Sequence, residues 1–169
     1  GLSAAARARQ RGISHILLEA AERHANTIQQ YQKRKHVMAE PSMLPLRSDL
    51  TFKAGLRETI LETWEEDIQR SRINIRYRSE VIKITGSRGD FRIGLKTGEI
   101  IHAKHVVLAL GVQGNPRRLG VSGENLPFVQ NTLESADDYN NETIVVVGAG
   151  DSAIENALAL SRNNRVILI

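Results

Sequence analysis

There is no cysteine in the 169 residues. Thiol–disulfide exchange and cysteine-ligated metal both need a thiolate, so neither can occur within this stretch. Aromatic residues make up only 4%, and no stacking platform of the kind that holds single-stranded nucleic acid is visible. No uninterrupted apolar run approaches the length of a membrane-spanning helix. Neither sign of charge dominates: 23 Lys and Arg against 19 Asp and Glu leave a net charge of +4. His15, His36, His102 and His105 have no metal-ligand spacing, and no Ser-His-Asp or paired-carboxylate arrangement follows from the order of residues.

What remains is 41% hydrophobic and 25% charged, the balance of an ordinary folded chain. Recurring runs such as Val106-Val107-Leu108-Ala109 exclude disorder. The first apolar stretch is short and interrupted by Arg7, Arg9 and Arg11, unlike a signal peptide. Gly1-Leu2-Ser3-Ala4-Ala5-Ala6 reads as a helix already under way, and Arg165-Val166-Ile167-Leu168-Ile169 reads as a buried strand that stops without a turn. The expectation is a segment of a longer chain.

The periodicities predict alternating elements. A small-residue helix covers 1–11 and stops at Gly12, and a short strand over 15–19 ends on Glu19. Residues 26–38 have poor periodicity and read as loop or irregular helix. Leu56, Ile60, Leu61, Trp64 and Ile68 predict an amphipathic helix over 53–71, with Trp64 in the core. Strands follow over 73–78 and 81–84, then a hairpin of 91–95 and 99–101 around Lys96-Thr97-Gly98. A continuous apolar strand is expected over 105–109, a hinge over 112–118, and strand, helix and strand over 143–148, 151–162 and 165–169.

Gly148-Ala149-Gly150-Asp151-Ser152-Ala153 is the strongest chemical signal, because it follows a β-branched run and opens an alanine-rich helix. The first glycine permits a tight strand-to-helix turn. The second removes a side chain where backbone must approach a pyrophosphate, and the small Ala153 lets helix and strand pack closely. The helix N-terminus supplies free N–H groups for the anion. The chain's beginning repeats the second half of this unit: a small-residue helix, then an apolar strand. Gly1 matches the third small position of such a turn, and Glu19 stands where such a unit keeps a carboxylate for ribose hydroxyls.

Two such units, separated by an antiparallel insert and a hinge, resemble the flavoproteins with two dinucleotide-binding domains, the group containing the pyridine nucleotide-disulfide oxidoreductases. Residues 1–19 resemble the end of the FAD fingerprint. The run Thr97 to Gly111 resembles the second FAD motif, with Leu110 where that motif has threonine. Residues 148–155 resemble the NAD(P)H fingerprint, including the Glu155 carboxylate.

The resemblance implies an α/β fold of three-layer, Rossmann-like FAD/NAD(P)-binding domains with an antiparallel β insert. The FAD-binding domain would cover 1–113 without its first strand, and 114–169 would hold only the start of an NAD(P)H-binding domain, its opening βαβ. The cofactors implied are FAD with NADPH or NADH. The contacts would come from Gly1, Ser3, Glu19, Ala20, Val81, Ala109, Leu110 and Gly111 on the flavin side. Gly148, Gly150, Asp151, Ser152, Ala153 and Glu155 would serve the nicotinamide nucleotide.

The activity implied is hydride transfer from NAD(P)H to flavin and onward to an acceptor that the sequence does not name. The spacing is closest to the thioredoxin reductase-like branch, yet 128–139 and 20–31 carry no thiol pair. A ferredoxin–NADP reductase-like enzyme, a flavin-containing monooxygenase and a non-catalytic nucleotide-binding module stay open. No nucleic-acid or membrane partner is expected, a cytoplasmic location is, and a homodimer stays open. Arg7, Arg9 and Arg11, then Lys33-Arg34-Lys35, then Arg70, Arg72, Arg76 and Arg78 read as solvated basic surface. His24 reads as a surface histidine at the edge of the FAD site, within reach of a cofactor hydrogen bond. Ile169, or the residue after it, occupies the place of the NAD-selecting acid, so an apolar Ile169 favours NADPH.

Overall fold

The computed structural model describes residues 1–38, 47–111, 114 and 116–169. Helix α1 (Leu2–Gln10) ends at Arg11 and turns on Gly12, whose positive φ of 66° suits a residue without a Cβ. Strand β1 (Leu17–Leu18) follows, then a single helical turn α2 (Asn26–Gln29) and strand β2 (His36–Val37). Residues 26–38 are therefore part short helix and part strand. Strand β3 (Gly55–Leu56) pairs antiparallel with β2 and leads straight into α3 (Arg57–Ser71), which ends on a left-handed Arg72. Strand β4 (Ile75–Arg76) then lies parallel to β1, Leu17 opposite Ile75.

Two small residues explain how tightly the first unit closes. Ala5 and Ala6 of α1 are buried against Ile68 of α3, Leu50 and Ile73, with Leu17 and Ile75 of the parallel pair packed on the same cluster. Methyl-sized side chains let the helix approach the strands, and the longer aliphatics fill the remaining space.

Helix α3 also carries a clamp. Its buried Asp67 accepts the Thr51 N–H at 2.6 Å and pairs with Arg70, while Trp64 Nε1 donates to the Thr51 carbonyl at 2.9 Å. Both backbone groups of one loop residue are thus held by the helix. That fixes Leu50 and Phe52 on either side of it.

An antiparallel meander comes next: β5 (Val81–Ser87), β6 (Asp90–Leu95) and β7 (Ile100–Ala103), with Leu95 and Ile93 buried. It is the insert the hairpin signal predicts. The strand expected over 105–109 does not form a ladder. Val107 is 74% exposed and Leu108 67%, because no described strand lies alongside to take their backbone groups. The expected hinge falls partly on 112, 113 and 115, outside the described residues.

A 3-10 turn (Ala136–Asp138) precedes β8 (Thr143–Val146), α4 (Asp151–Leu160) and β9 (Arg165–Leu168). Strands β8 and β9 are parallel with Thr143 opposite Arg165, so this is a βαβ unit with α4 as its crossover. Helix α4 buries Ala157 and Leu160. The architecture is α/β. No helix among the described residues is long and apolar enough to cross a membrane.

Candidate functional site

A cavity of about 1410 Å³ opens where the ends of these elements converge. Its wall includes Gly1, Ser3 and Glu19 from the first unit, Ala109, Leu110 and Gly111 from the segment after the meander, and Ser152 from α4. Seven of the residues expected to touch cofactor therefore share one space. Ala20, Gly148, Gly150, Asp151, Ala153 and Glu155 are not part of that wall, and neither is Val81, at the start of β5 opposite Leu95.

The glycines differ in what they require. A Cβ built on Gly1 would stand 3.2 Å from Leu17 Cδ1 and 3.8 Å from Ala109 Cβ, so the α1 N-terminus sits hard against β1. This is the close helix–strand approach that a third small position serves. Gly148 has φ of 127°, a conformation other residues rarely adopt, and a Cβ there would meet Ala153 at 3.6 Å. Gly150 is different: φ is −80° and a Cβ would meet nothing within 4 Å. Nothing in the chain itself requires glycine at 150, and open space there leaves room for a ligand at the N-terminus of α4.

Glu19 leaves β1 with its backbone still in the ladder, N–H to the Arg76 carbonyl and C=O from the Ser79 N–H. Its Oε1 accepts the Ala21 N–H at 2.9 Å, and Oε2 makes no hydrogen bond with a described residue. The tight turn thus aims a carboxylate along the cavity wall without using it up. That suits a group with paired hydroxyls.

His24 is not on the surface. It is 5% exposed, with Nδ1 3.3 Å from Tyr77 Oη and 3.4 Å from Glu65 Oε2, and its Nε2 has no partner among the described residues. It lines the large cavity on one side and, on the other, a smaller one of about 530 Å³ shared with Glu65 and Tyr77. Burial pushes the His24 ring below the ordinary histidine value, and this outweighs the upward pull of Glu65. Burial likewise raises the Tyr77 hydroxyl.

The unfolded chain therefore binds more protons than the folded one once pH falls below about 6.5, and the His24 contribution to stability is lost as pH falls through that region. Thermal midpoints at about pH 7.5 and about pH 5.5 test this. The drop between them should be smaller in His24→Gln than in the parent. Equal drops would mean that the ring does not carry the effect.

Other residues enter the site without a motif to announce them. Trp64 lines the cavity rather than the core, and its ring stacks obliquely on Phe52 with centroids 5.6 Å apart. The run Lys33-Arg34-Lys35 is not simply solvated. The Lys33 N–H donates to the Glu134 carbonyl at 2.9 Å, Arg34 pairs with Asp137, and Lys35 pairs with Glu155 while lying 3.3 Å from Ser152 Oγ. The Lys35 ammonium also stands 5.6 Å from the Tyr31 ring centroid. Only the charge run itself hints at these residues, and charge runs usually face water.

Comparison with known proteins agrees with this geometry. The chain is 26% identical over all 169 residues to a ferredoxin–NADP reductase of Ignicoccus hospitalis, covering 100% of this chain and 52% of that protein. It is 28% identical over 124 residues to a thioredoxin reductase of Helicobacter pylori, covering 68% of this chain and 39% of that one. Among solved structures, a bacillithiol disulfide reductase from Bacillus cereus superposes with a TM-score of 0.84 at 26% identity, covering 98% of this chain and 53% of its own. The chain thus spans about half the length of these relatives or less. Residues 1–169, the whole of the sequence, match the family described as pyridine nucleotide-disulphide oxidoreductase. With that match over every residue, the chain belongs to the pyridine nucleotide-disulphide oxidoreductase family.

Proposed function

We propose that the protein carrying this chain is an FAD-dependent NAD(P)H oxidoreductase, passing electrons between a nicotinamide nucleotide and an acceptor without a dithiol in these residues. The observation that carries the reading is the convergence of Gly1, Glu19, Gly111 and Ser152, drawn from three separated stretches, on one cavity. In this reading 1–113 form the flavin-binding part and 114–169 the opening of the nicotinamide nucleotide-binding part. A bound flavin supplies the redox chemistry, accepting hydride from the nucleotide.

The protein's own work is placement. Glu19 holds ribose hydroxyls, the Gly1 end of α1 admits the flavin nucleotide's phosphates, and the turn at 148–153 seats the nicotinamide nucleotide's pyrophosphate. Ser3, Ala20, Val81, Ala109, Leu110, Asp151 and Ala153 complete the assigned contacts. Two of the relatives named above, a ferredoxin–NADP reductase and a bacillithiol disulfide reductase, suggest different acceptors. The absence of cysteine favours an acceptor that brings its own redox centre.

The nucleotide is NADPH in this reading. Ile169 ends the β8–β9 ladder beside Gly148, whose N–H donates to the Ile169 carbonyl at 2.7 Å, and its side chain puts no carboxylate there to repel a 2′-phosphate. Anaerobic addition of NADPH to the full-length protein should bleach the flavin absorbance, with a higher kcat/KM than NADH gives. Bound flavin that neither nucleotide bleaches would indicate a non-catalytic module. Flavin reduction with a higher kcat/KM for NADH would refute only the choice of nucleotide. NADPH-driven oxygen consumption that rises with an organic substrate would favour a monooxygenase instead.

A further inference from the structure

His24 is the buried titratable group that cofactor placement leaves unexplained. Next to it Ala25, also on the cavity wall, takes a left-handed conformation (φ 54°, ψ 40°) that side chains other than glycine rarely adopt. The ring is anchored on one nitrogen only. Nδ1 lies 3.3 Å from the Tyr77 hydroxyl and 3.4 Å from Glu65 Oε2, whereas Nε2 is buried and has no partner among the described residues. An unmade hydrogen bond at a buried nitrogen costs folding free energy, and at a cavity wall it points to a partner that the cavity's ligand brings.

The charges around the ring say what kind of partner that is. His24 shares the wall with Gly1 and Glu19, and the Glu19 charge acts on both the Gly1 nitrogen and the ring. Burial keeps the ring neutral, with Arg23 on the same side. Glu65 from α3, the Leu61 carbonyl (short of a hydrogen bond) and Glu19 pull the other way. On the far side the smaller cavity adds Glu22, Arg57, Glu58 and Glu62, of which Arg57 pairs with Glu58 and Glu22 with Arg78. One nitrogen thus already has a carboxylate beside it, and a second negative group would tip the ring to its charged form.

Taking the large cavity as the flavin nucleotide's seat, we infer that His24 is a cofactor-binding residue whose Nε2–H donates to an anionic oxygen of the bound dinucleotide while Glu65 braces Nδ1–H. In FAD the anionic oxygens are those of the pyrophosphate. The imidazolium then stands between two negative groups, so flavin binding draws one proton from solvent, on the side where Glu65 is half-exposed. Because the bound form keeps that proton more tightly than the flavin-free form, affinity is highest at low pH and falls as pH rises. The loss of stability at low pH described above belongs to the flavin-free chain, and a bound dinucleotide should remove it.

The test is calorimetric titration of FAD into the flavin-free full-length protein. At about pH 7 the parent should take up protons, seen as a binding heat that varies with the ionisation enthalpy of the buffer, and affinity should rise about tenfold from about pH 8 to about pH 6. His24→Gln keeps an N–H donor but cannot be protonated, so its affinity should be flat over that range and its heat independent of buffer. Glu65→Gln keeps the shape of the brace without its charge and should move the rise in affinity to lower pH. In the flavin-loaded protein the His24 ring, followed by NMR with His24→Gln as the assignment control, should titrate at higher pH than in the flavin-free one. FAD binding without proton uptake, or with equal uptake in His24→Gln, overturns the inference and leaves the flavin reading standing. So does a loaded protein whose ring stays neutral down to about pH 5.5. A full-length parent that binds no FAD at any pH overturns both, because the cavity is then no flavin seat.

Discussion

Gly150→Val should cost the fold about 1 kcal/mol, because valine caps α4 less well than glycine, and weaken nicotinamide nucleotide binding by about two decades or more. The backbone at 150 has φ −80° and ψ 167°, an extended conformation that a β-branched residue adopts readily. A Cβ there meets no heavy atom within 4 Å, so the free protein has nothing to repack. Apart from the cap, exposed substitutions of this kind usually change stability by about 0.5 kcal/mol or less. With a pyrophosphate seated at the α4 N-terminus, the same valine occupies the space the backbone must offer, and each 1.4 kcal/mol of clash costs about tenfold in affinity. FAD content should not change, because Gly1, Ser3, Glu19 and Gly111 line the cavity and Gly150 does not. Equal nucleotide affinity in parent and variant, measured by titration, would refute the placement. A loss well beyond the about 1 kcal/mol of the cap change would instead mean that glycine at 150 serves the chain's own fold, as it does at Gly148 with its φ of 127°.

The second large effect is expected at Glu19. Its Oε1 is committed to the Ala21 N–H, so the ligand is served by Oε2 and by the charge that both oxygens share. A charge-assisted hydrogen bond to a ribose hydroxyl contributes roughly 1.5–3 kcal/mol. Glu19→Ala should therefore raise the FAD dissociation constant by about one to two decades, and flavin should leave during dilution and gel filtration. Glu19→Gln isolates the charge: it keeps an oxygen for the Ala21 N–H and should fall between the parent and the alanine variant. Full flavin occupancy after gel filtration of Glu19→Ala would remove Glu19 from the site.

What could be read in advance followed from how local each signal is. The turn at 148–153 announces itself because strand, glycines and helix are adjacent in sequence, and β8, α4 and β9 formed where expected. The meander was legible for the same reason, its hairpin turn lying between its own strands. The strand over 105–109 was misread because apolar continuity reports burial in a sheet without saying which neighbour supplies the ladder. His24 and Lys35 were misread for a related reason. Their partners Glu65, Tyr77 and Glu155 lie 41, 53 and 120 residues away, and no periodicity links residues so far apart. The 26–38 stretch, with its single helical turn and two-residue strand, is too short in each element for any pattern to repeat.

The Thr51 clamp has an optical consequence. Trp64 is the single tryptophan of the 169 residues, and the hydrogen bond from its indole to the Thr51 carbonyl fixes it in the cavity wall. Flavin absorbs where indole emits, so a chromophore in this cavity should quench Trp64 by resonance energy transfer at short range. In the full-length protein with any tryptophan outside these residues replaced by phenylalanine, emission recovered on removing the flavin would then follow cofactor release at one identified point of the wall. Because Asp67 holds the other side of Thr51, Asp67→Asn should broaden that emission by loosening the loop, even with the flavin bound.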